Sequence, residues 1–327
     1  MVSMGYFLAC EEFGPHELVR QARMAADAGF ERLWISDHYH PWTEAQGQSP
    51  FVWGVIGALS EATRLPITTA VTCPTIRIHP AIIAQAAATA AVQCDGRFVL
   101  GVGSGEALNE HVLGDRWPPA ETRLAMLEEA VELIRALHRG DRVTYHGEFY
   151  DVENARIYTL PDGPVPIYVS GFGPKAARLA GRIGDGFVCT MPAEGLVRTF
   201  RESGGEDRPA QAGFKICYAA SEEEGARTAL RIWGNLAVPG ELSQTLPEPR
   251  HFEQAVELVT EDAIRTAVTC GPDVDRIVDR VRTFAQAGFD EVYVQQIGPD
   301  QEAFFEICRD QVLPRVRELE LVRDAGR

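Results

Sequence analysis

Glu31-Arg32-Leu33-Trp34-Ile35-Ser36-Asp37-His38-Tyr39-His40-Pro41-Trp42 decides the fold. Its first half reads as a buried strand, with Leu33 and Ile35 on one side and Trp34 and Ser36 on the other. Its second half sets an acid, two imidazoles and two aromatic rings where the strand should end. Packing does not require such residues; a reaction site does, because histidine can take or give a proton near neutral pH. A helix over about 15–28 ends at Gly29 and feeds this strand after a short turn. That helix-to-strand step is the unit of a parallel α/β fold.

Working outward, strands are expected at 4–9, 32–36, 65–72, 97–103, 166–170, 186–190, 214–220 and 291–296. Helices are expected at 50–63, 80–93, 119–138, 174–183, 273–287 and 300–320. Residues 142–160 read as an inserted hairpin, because Val143–Tyr150 has period two with a His-Gly turn. Residues 221–270 read as a mostly helical insertion. Eight strands alternating with helices predict one (β/α)8 barrel domain over 1–327. A doubly wound open sheet is the competing arrangement. One helix after the eighth strand and then the end of the chain favour the barrel.

The 327 residues are 45% hydrophobic and 24% charged, which suits an ordinary globular protein with a sizeable core. The formal charge of −16 argues against nucleic acid and anionic membranes as partners and leaves a small-molecule substrate as the expectation. The seven cysteines are scattered, with no C-x-x-C pair and no zinc spacing, so no metal is expected. No targeting segment and no apolar run of membrane-spanning length is visible, and a cytoplasmic location is the expectation. Lys175 and Lys215 are the only lysines, which reads as coding bias without mechanistic meaning.

In a barrel the residues following each strand converge on one rim. These are Asp37, His38 and Trp42 after the second strand, and Thr72, Cys73 and Pro74 after the third. Ser104, Gly105, Glu106 and Asn109 follow the fourth, Gly171–Gly173 the fifth and Thr190 the sixth. Together they make a coherent cofactor site, and each has a plainer reading. His38 could be a hydrogen-bonded structural histidine, and His40 shares its face. Glu106 could be a helix-start carboxylate favoured by the dipole. Gly171-Phe172-Gly173-Pro174 could be a tight turn or a phosphate cradle. Trp42 could be core, and Cys73 and Cys189 small buried residues with no basic partner.

Ser36–Trp42, Gly101–Glu110, Val165–Pro174 and Ala180–Thr190 resemble the luciferase-like flavin and deazaflavin oxidoreductases. Within these they look most like the F420-dependent glucose-6-phosphate dehydrogenase group. The resemblance implies a (β/α)8 barrel that binds coenzyme F420, usually as a homodimer, and acts on a CH–OH donor. It implies His38 as base on the substrate hydroxyl, Glu106 as the acid that protonates the deazaflavin, and Trp42 lining the active site. It implies cofactor contacts at Asp37, Ser104, Gly105 and Asn109, and at Ser170, Gly171, Phe172 and Gly173 around the phosphate. Ala70 and Val71 would join through a cis peptide behind the ring, with Cys73 where a threonine is usual. Thr190 matches a substrate-pocket residue. The phosphate-binding lysines of the sugar-phosphate members fall on Ala193 and Ile264, with Arg265 one residue away as a substitute. The expectation is therefore an F420-dependent oxidoreductase acting on another hydroxyl-bearing substrate. The alternatives are the glucose-6-phosphate dehydrogenase itself, an FMN-dependent monooxygenase, and a non-catalytic deazaflavin carrier.

Overall fold

The structure is a computed structural model that describes residues 2–324, the side chains of 319–324 excepted. Eight parallel strands close into a barrel: β1 (Ser3–Leu8), β2 (Arg32–Ile35), β3 (Ile67–Thr69), β4 (Phe98–Val102), β7 (Ile167–Ser170), β8 (Gly186–Cys189), β9 (Ala210–Cys217) and β11 (Glu291–Gln296). Closure comes from β8 pairing with β9, and from β11 lying between β9 and β1. Two strands, β5 (Val143–His146) and β6 (Asp151–Ala155), form the expected antiparallel hairpin. The carboxylate of Glu129 on the helix Ala120–His138 holds the hairpin turn by accepting from the backbone N–H groups of Glu148, Phe149 and Tyr150 at 3.0, 3.1 and 2.9 Å.

The main core lies between the strands and the surrounding helices, where Leu33, Ile35, Ile83, Leu100, Ile134 and Val169 are all buried. A smaller core fills the barrel itself. There Trp34 and Tyr293 stack at 4.4 Å between ring centroids, flanked by Phe7, Tyr168 and Val188. Aromatic filling of this kind needs small residues opposite. A Cβ on Gly213 would lie 2.3 Å from the Trp34 ring.

Three expectations are corrected. The seventh strand runs over Ala210–Cys217 and starts four residues before the expected 214–220, because Ala210, Ala212 and Gly213, the last facing the Trp34 ring, lack a strand's usual bulk. The stretch 221–270 is mostly helical, but it ends in a two-residue strand, β10 (Thr269–Cys270), added beside β9. The third strand is also shorter than 65–72.

Candidate active site

His38 is the centre. β2 ends at Ile35, and the next residues turn over the barrel mouth with Ser36, Asp37 and His38 all buried. The His38 ring packs against Trp42 at 5.0 Å between centroids, and Trp42 in turn meets Phe252 edge-on at 5.1 Å. Nε2 of His38 lies 3.5 Å from Oε1 of Glu11. Nδ1 lies 3.1 Å from both the carbonyl oxygen of His40 and Nδ2 of Asn109. His40, in contrast, turns Nδ1 to the Leu108 carbonyl at 3.1 Å. Of the two histidines, His38 therefore meets the Glu11 carboxylate and His40 pins the loop.

Glu11 and Lys215 carry this site, and neither was singled out from the sequence. Glu11 follows β1 and is 3% exposed. Ser36 Oγ donates to it at 2.5 Å and is itself held by the Cys10 N–H at 2.9 Å. Burial works against the Glu11 charge, but His38, Lys215 and the Ser36 hydroxyl together hold its carboxyl below the usual range. The rule that residues after barrel strands converge, applied to β1, points to Glu11-Glu12.

Lys215 sits inside the mouth on β9, half-buried, with its ammonium 3.8 Å from the Trp233 ring centroid and 4.4 Å from that of Phe7. It donates to Gln295 Oε1. Burial pushes it down to about 8. A charge inside the apolar run Phe214-Lys215-Ile216-Cys217 was the available signal, so the coding-bias reading of this lysine is corrected. Glu12 lies beyond, accepting from Trp233 Nε1 at 2.6 Å, Gly298 N–H at 2.7 Å and Gln295 Nε2 at 3.3 Å. Burial outweighs these donors and pushes Glu12 up to about 6.

The loops after β3 and β4 form the adjoining wall. The Ala70–Val71 peptide is cis, and both residues are partly exposed there. Gly105 adopts φ +78°, and a Cβ on it would lie 2.6 Å from Cys73 Sγ, so this turn presses directly on the cysteine. Ser104, Gly105 and Glu106 are half-buried, and Asn109 is buried on the short helix Ala107–Glu110. Glu106 Oε2 accepts from Asn109 Nδ2 at 3.3 Å.

Three expected contacts are not brought to the open site. Asp37 accepts from Thr72 Oγ1 and Arg77 Nη2, both at 2.8 Å, and its side chain is 1% exposed, so it braces the loop behind the wall. Cys73 is buried with Sγ 3.0 Å from Thr75 Oγ1, and burial raises its thiol well above the ordinary range. Arg265 is tied to Glu261, Asp262 and Glu222, and none of these contacts is with the rim. Behind Asp37, burial pushes Glu110 up to about 7, although it accepts from the Arg77 backbone N–H at 2.8 Å and faces that arginine's charge.

On the far side, Ser170 ends β7, Gly171 donates to the Val188 carbonyl at 3.1 Å, and Gly173 starts the helix Pro174–Ile183. That helix has no side-chain cap, and a Cβ on Gly173 would meet nothing within 4 Å. Phe172 is 45% exposed beside it, and Thr190 is exposed after β8. Uncapped N–H donors with open space before them suit an anionic phosphate. The partly exposed Ala70–Val71 wall suits the face of a flat ring. The residues present therefore fit a deazaflavin or flavin nucleotide. Among the described residues, no group of three or more His, Cys, Asp or Glu could hold a metal ion.

The family described as luciferase-like monooxygenase matches residues 3–291. The chain is 36% identical to the F420-dependent glucose-6-phosphate dehydrogenase of Beutenbergia cavernae, over 98% of this chain and 99% of that protein. It is 38% identical to the protein of the same name from Nakamurella multipartita, over 97% of each. An F420-dependent secondary alcohol dehydrogenase, solved with an F420-acetone adduct, superposes with a TM-score of 0.90 at 31% identity, covering 96% of this chain and 99% of that one.

Proposed function

Because the chain belongs to the luciferase-like monooxygenase family and aligns end to end with F420-dependent dehydrogenases, we propose that it is a coenzyme F420-dependent oxidoreductase that oxidises or forms a CH–OH group. The observation that carries this reading is the setting of His38. Both ring nitrogens face an acceptor, Glu11 on one side and the His40 carbonyl on the other. These contacts hold the ring in one orientation at the barrel mouth, where a hydroxyl proton has to be taken up.

When bound, the deazaflavin supplies the hydride acceptor. His38 takes the substrate hydroxyl proton, and Glu106 holds at its carboxyl the proton delivered to the ring. Trp42 and Phe252 wall the substrate side and exclude water. Ser170, Gly171, Phe172 and Gly173 would hold the cofactor phosphate, and Ala70, Val71, Ser104, Gly105 and Asn109 would line its ring. Thr190 contributes to the substrate pocket.

The substrate is an alcohol without a phosphate. By the resemblance, Ala193 and Ile264 fall where the sugar-phosphate members carry lysines; Ile264 is fully buried among apolar neighbours, and Arg265 is paired with three carboxylates. We further propose a homodimer built on the helices Val52–Ala62 and Pro80–Gln93. Phe51 and Ile82 are 61% and 58% exposed there and line an apolar groove with Trp53, Ile78 and Ala86. Seven free, buried cysteines suit the reducing cytoplasm.

The test is a titration of the purified protein with oxidised coenzyme F420 and, separately, with FMN, followed by cofactor fluorescence. Tight binding of the deazaflavin alone is expected. A screen of alcohols with glucose 6-phosphate included then follows, and that sugar phosphate is expected to give no turnover. Tight binding of FMN with oxygen consumption would overturn the reading in favour of a monooxygenase. Coenzyme F420 binding without turnover on any alcohol, aldehyde or sugar would favour a carrier.

A further inference from the structure

Lys215 ends a file of inward-facing residues on β9. Strand alternation turns Gln211, Gly213 and Lys215 toward the barrel axis. Gln211 accepts from Trp34 Nε1 at 2.8 Å, a Cβ on Gly213 would meet the Trp34 ring, and the Lys215 ammonium lies 4.4 Å from the Phe7 centroid. The stacked rings of Trp34 and Tyr293 plug the barrel below. Lys215 and its register partner Gln295 on β11 therefore form the floor of the mouth. Gln295 is fully buried and Lys215 only half-buried, so the accessible side of the lysine opens into the mouth.

Gln295 accepts one hydrogen of the ammonium, and the faces of Trp233 and Phe7 flank the rest. Among the described residues no carboxylate forms a direct ion pair with it. A ring face is a weaker acceptor than an oxygen, so a ligand oxygen would improve on what the protein provides. Glu11 and Glu12 act on the lysine charge without touching it. Two carboxylates to one ammonium repel an anionic ligand group, which leaves a hydroxyl or carbonyl oxygen as the matching acceptor. Two buried amides beside the aromatic wall are also open. Among the described residues, Nε2 of Gln46 and Oδ1 of Asn235 have no hydrogen-bond partner, in side chains of residues only 4% and 7% exposed. Oε1 of Gln46 holds the Trp42 N–H at 2.8 Å, and Asn235 lies on the turn Gly234–Ala237 directly after Trp233. An open donor and an open acceptor suit a ligand with several hydroxyls, because each hydroxyl both donates and accepts.

We propose that Lys215 is a specificity-determining residue that binds a second, uncharged oxygen of the substrate, so that the protein takes polyhydroxy compounds in preference to simple secondary alcohols. The proposal rests on the proposed function as an alcohol oxidoreductase and names the substrate class of that same site. Glu11, 3.5 Å from His38 Nε2 and within reach of the Lys215 charge, sets the reacting hydroxyl and the second oxygen side by side. A site built to hydrogen-bond a substrate oxygen rejects the analogue that lacks it, since the analogue takes the place of water without replacing its contacts.

The experiment compares cyclohexanol with trans-cyclohexane-1,2-diol, which differ by one hydroxyl, and with trans-2-hydroxycyclohexanecarboxylate, in which a carboxylate takes that place. Binding to the purified protein is read by tryptophan fluorescence, to which Trp233 beside the ammonium contributes. Turnover is read in the F420-loaded protein. In the wild type the diol is expected to bind more tightly than cyclohexanol, and to have the higher kcat/KM, by about tenfold or more in each case. The difference in kcat/KM is expected to lie in KM. The carboxylate is expected to bind no better than cyclohexanol. In Lys215→Met turnover of both alcohols falls, because Glu11 loses its cation, but the diol preference is expected to collapse to less than about threefold.

Equal binding of the diol and cyclohexanol by the wild type, or a diol preference that survives in Lys215→Met, would overturn the proposal. Tighter binding of the carboxylate than of the diol would overturn it as well, by showing that the floor takes an anion. The wild-type order of affinities needs no variant and so decides the matter if Lys215→Met fails to fold. Failure of the proposed function is seen separately: F420 bound with no turnover of either alcohol would sink that reading, while the order of binding still decides what Lys215 recognises.

Discussion

Nε2 of His38 and Oε1 of Glu11 lie 3.5 Å apart, with the two side chains 9% and 3% exposed. Burial works against the Glu11 charge, and the His38 ring facing it is the largest of the contacts that hold its carboxyl below the usual range. Glu11→Gln keeps the shape and removes the charge. Turnover should fall by about tenfold or more while affinity for the cofactor stays unchanged, because Glu11 belongs to the proton side of the mouth. His38→Asn should cost more, about 10²–10⁴-fold in kcat, the usual share of a positioned general base. Stopped-flow rates beside a fluorescence titration separate the two quantities. Equal losses in rate and in cofactor affinity would refute this assignment.

Glu110 makes stability fall as pH rises. Its carboxyl, 1% exposed, is pushed from 4.5 up to about 7 by burial, so between those values the folded chain holds a proton that the unfolded chain has lost. Stability attached to such a group is full below pH 4.5 and is lost as pH climbs through 7. Glu12, raised to about 6, adds in the same direction over a narrower window. Melting should therefore drop by roughly 2–6 °C from pH 5 to 7.5. Glu110→Gln still accepts from the Arg77 N–H and should flatten much of that drop. A variant with the same slope as the wild type would show that Glu110 is ionised throughout.

Much of this could be read from the chain. The strands β1, β2, β4 and β11 announce themselves through runs of aromatic and aliphatic residues, and the residues after β2 and β4 lead directly to His38, Asn109 and Glu106. The start of β9 was hidden because Gly213 and its small neighbours are selected by Trp34, a partner on another strand. Glu11 and Lys215 left fainter local traces, an acid pair just past β1 and a lone charge in the apolar run of β9. What those traces do not encode is that Glu11 meets both His38 and Lys215 across long sequence separations. Asp37 misled in the opposite way. Its place in a site motif suggested an open contact, whereas Thr72 and Arg77 turn it inward to hold the loop.

Ile82 tests the proposed homodimer. Its side chain is 58% exposed beside Phe51 at 61%, on one apolar face of two neighbouring helices. A charge at the centre of a buried interface, unpaired on both copies, is costly. Ile82→Glu should give a monomer by light scattering at micromolar concentration with the helical circular dichroism intact. Dimers that persist unchanged would place the subunit contact elsewhere.

Gly173 gives the sharpest separation between folding and cofactor binding. It caps the helix Pro174–Ile183 at φ −146°, an extended backbone that any residue adopts, with open space where a Cβ would go. An aspartate at such a position is a preferred helix cap and should leave melting unchanged or raise it slightly, since glycine is only a few tenths of a kcal/mol (~0.3) worse than the best caps. The same carboxylate would occupy the N–H donors proposed for the cofactor phosphate and repel it. Gly173→Asp should therefore weaken F420 binding by about tenfold or more, roughly 1.4 kcal/mol, in a protein at least as stable as the wild type. Gly173→Ala, with no charge, should bind close to normally. If the aspartate variant bound as tightly as the wild type, the phosphate would have to lie elsewhere on the rim, and the turn after β7 would be a cap and nothing more.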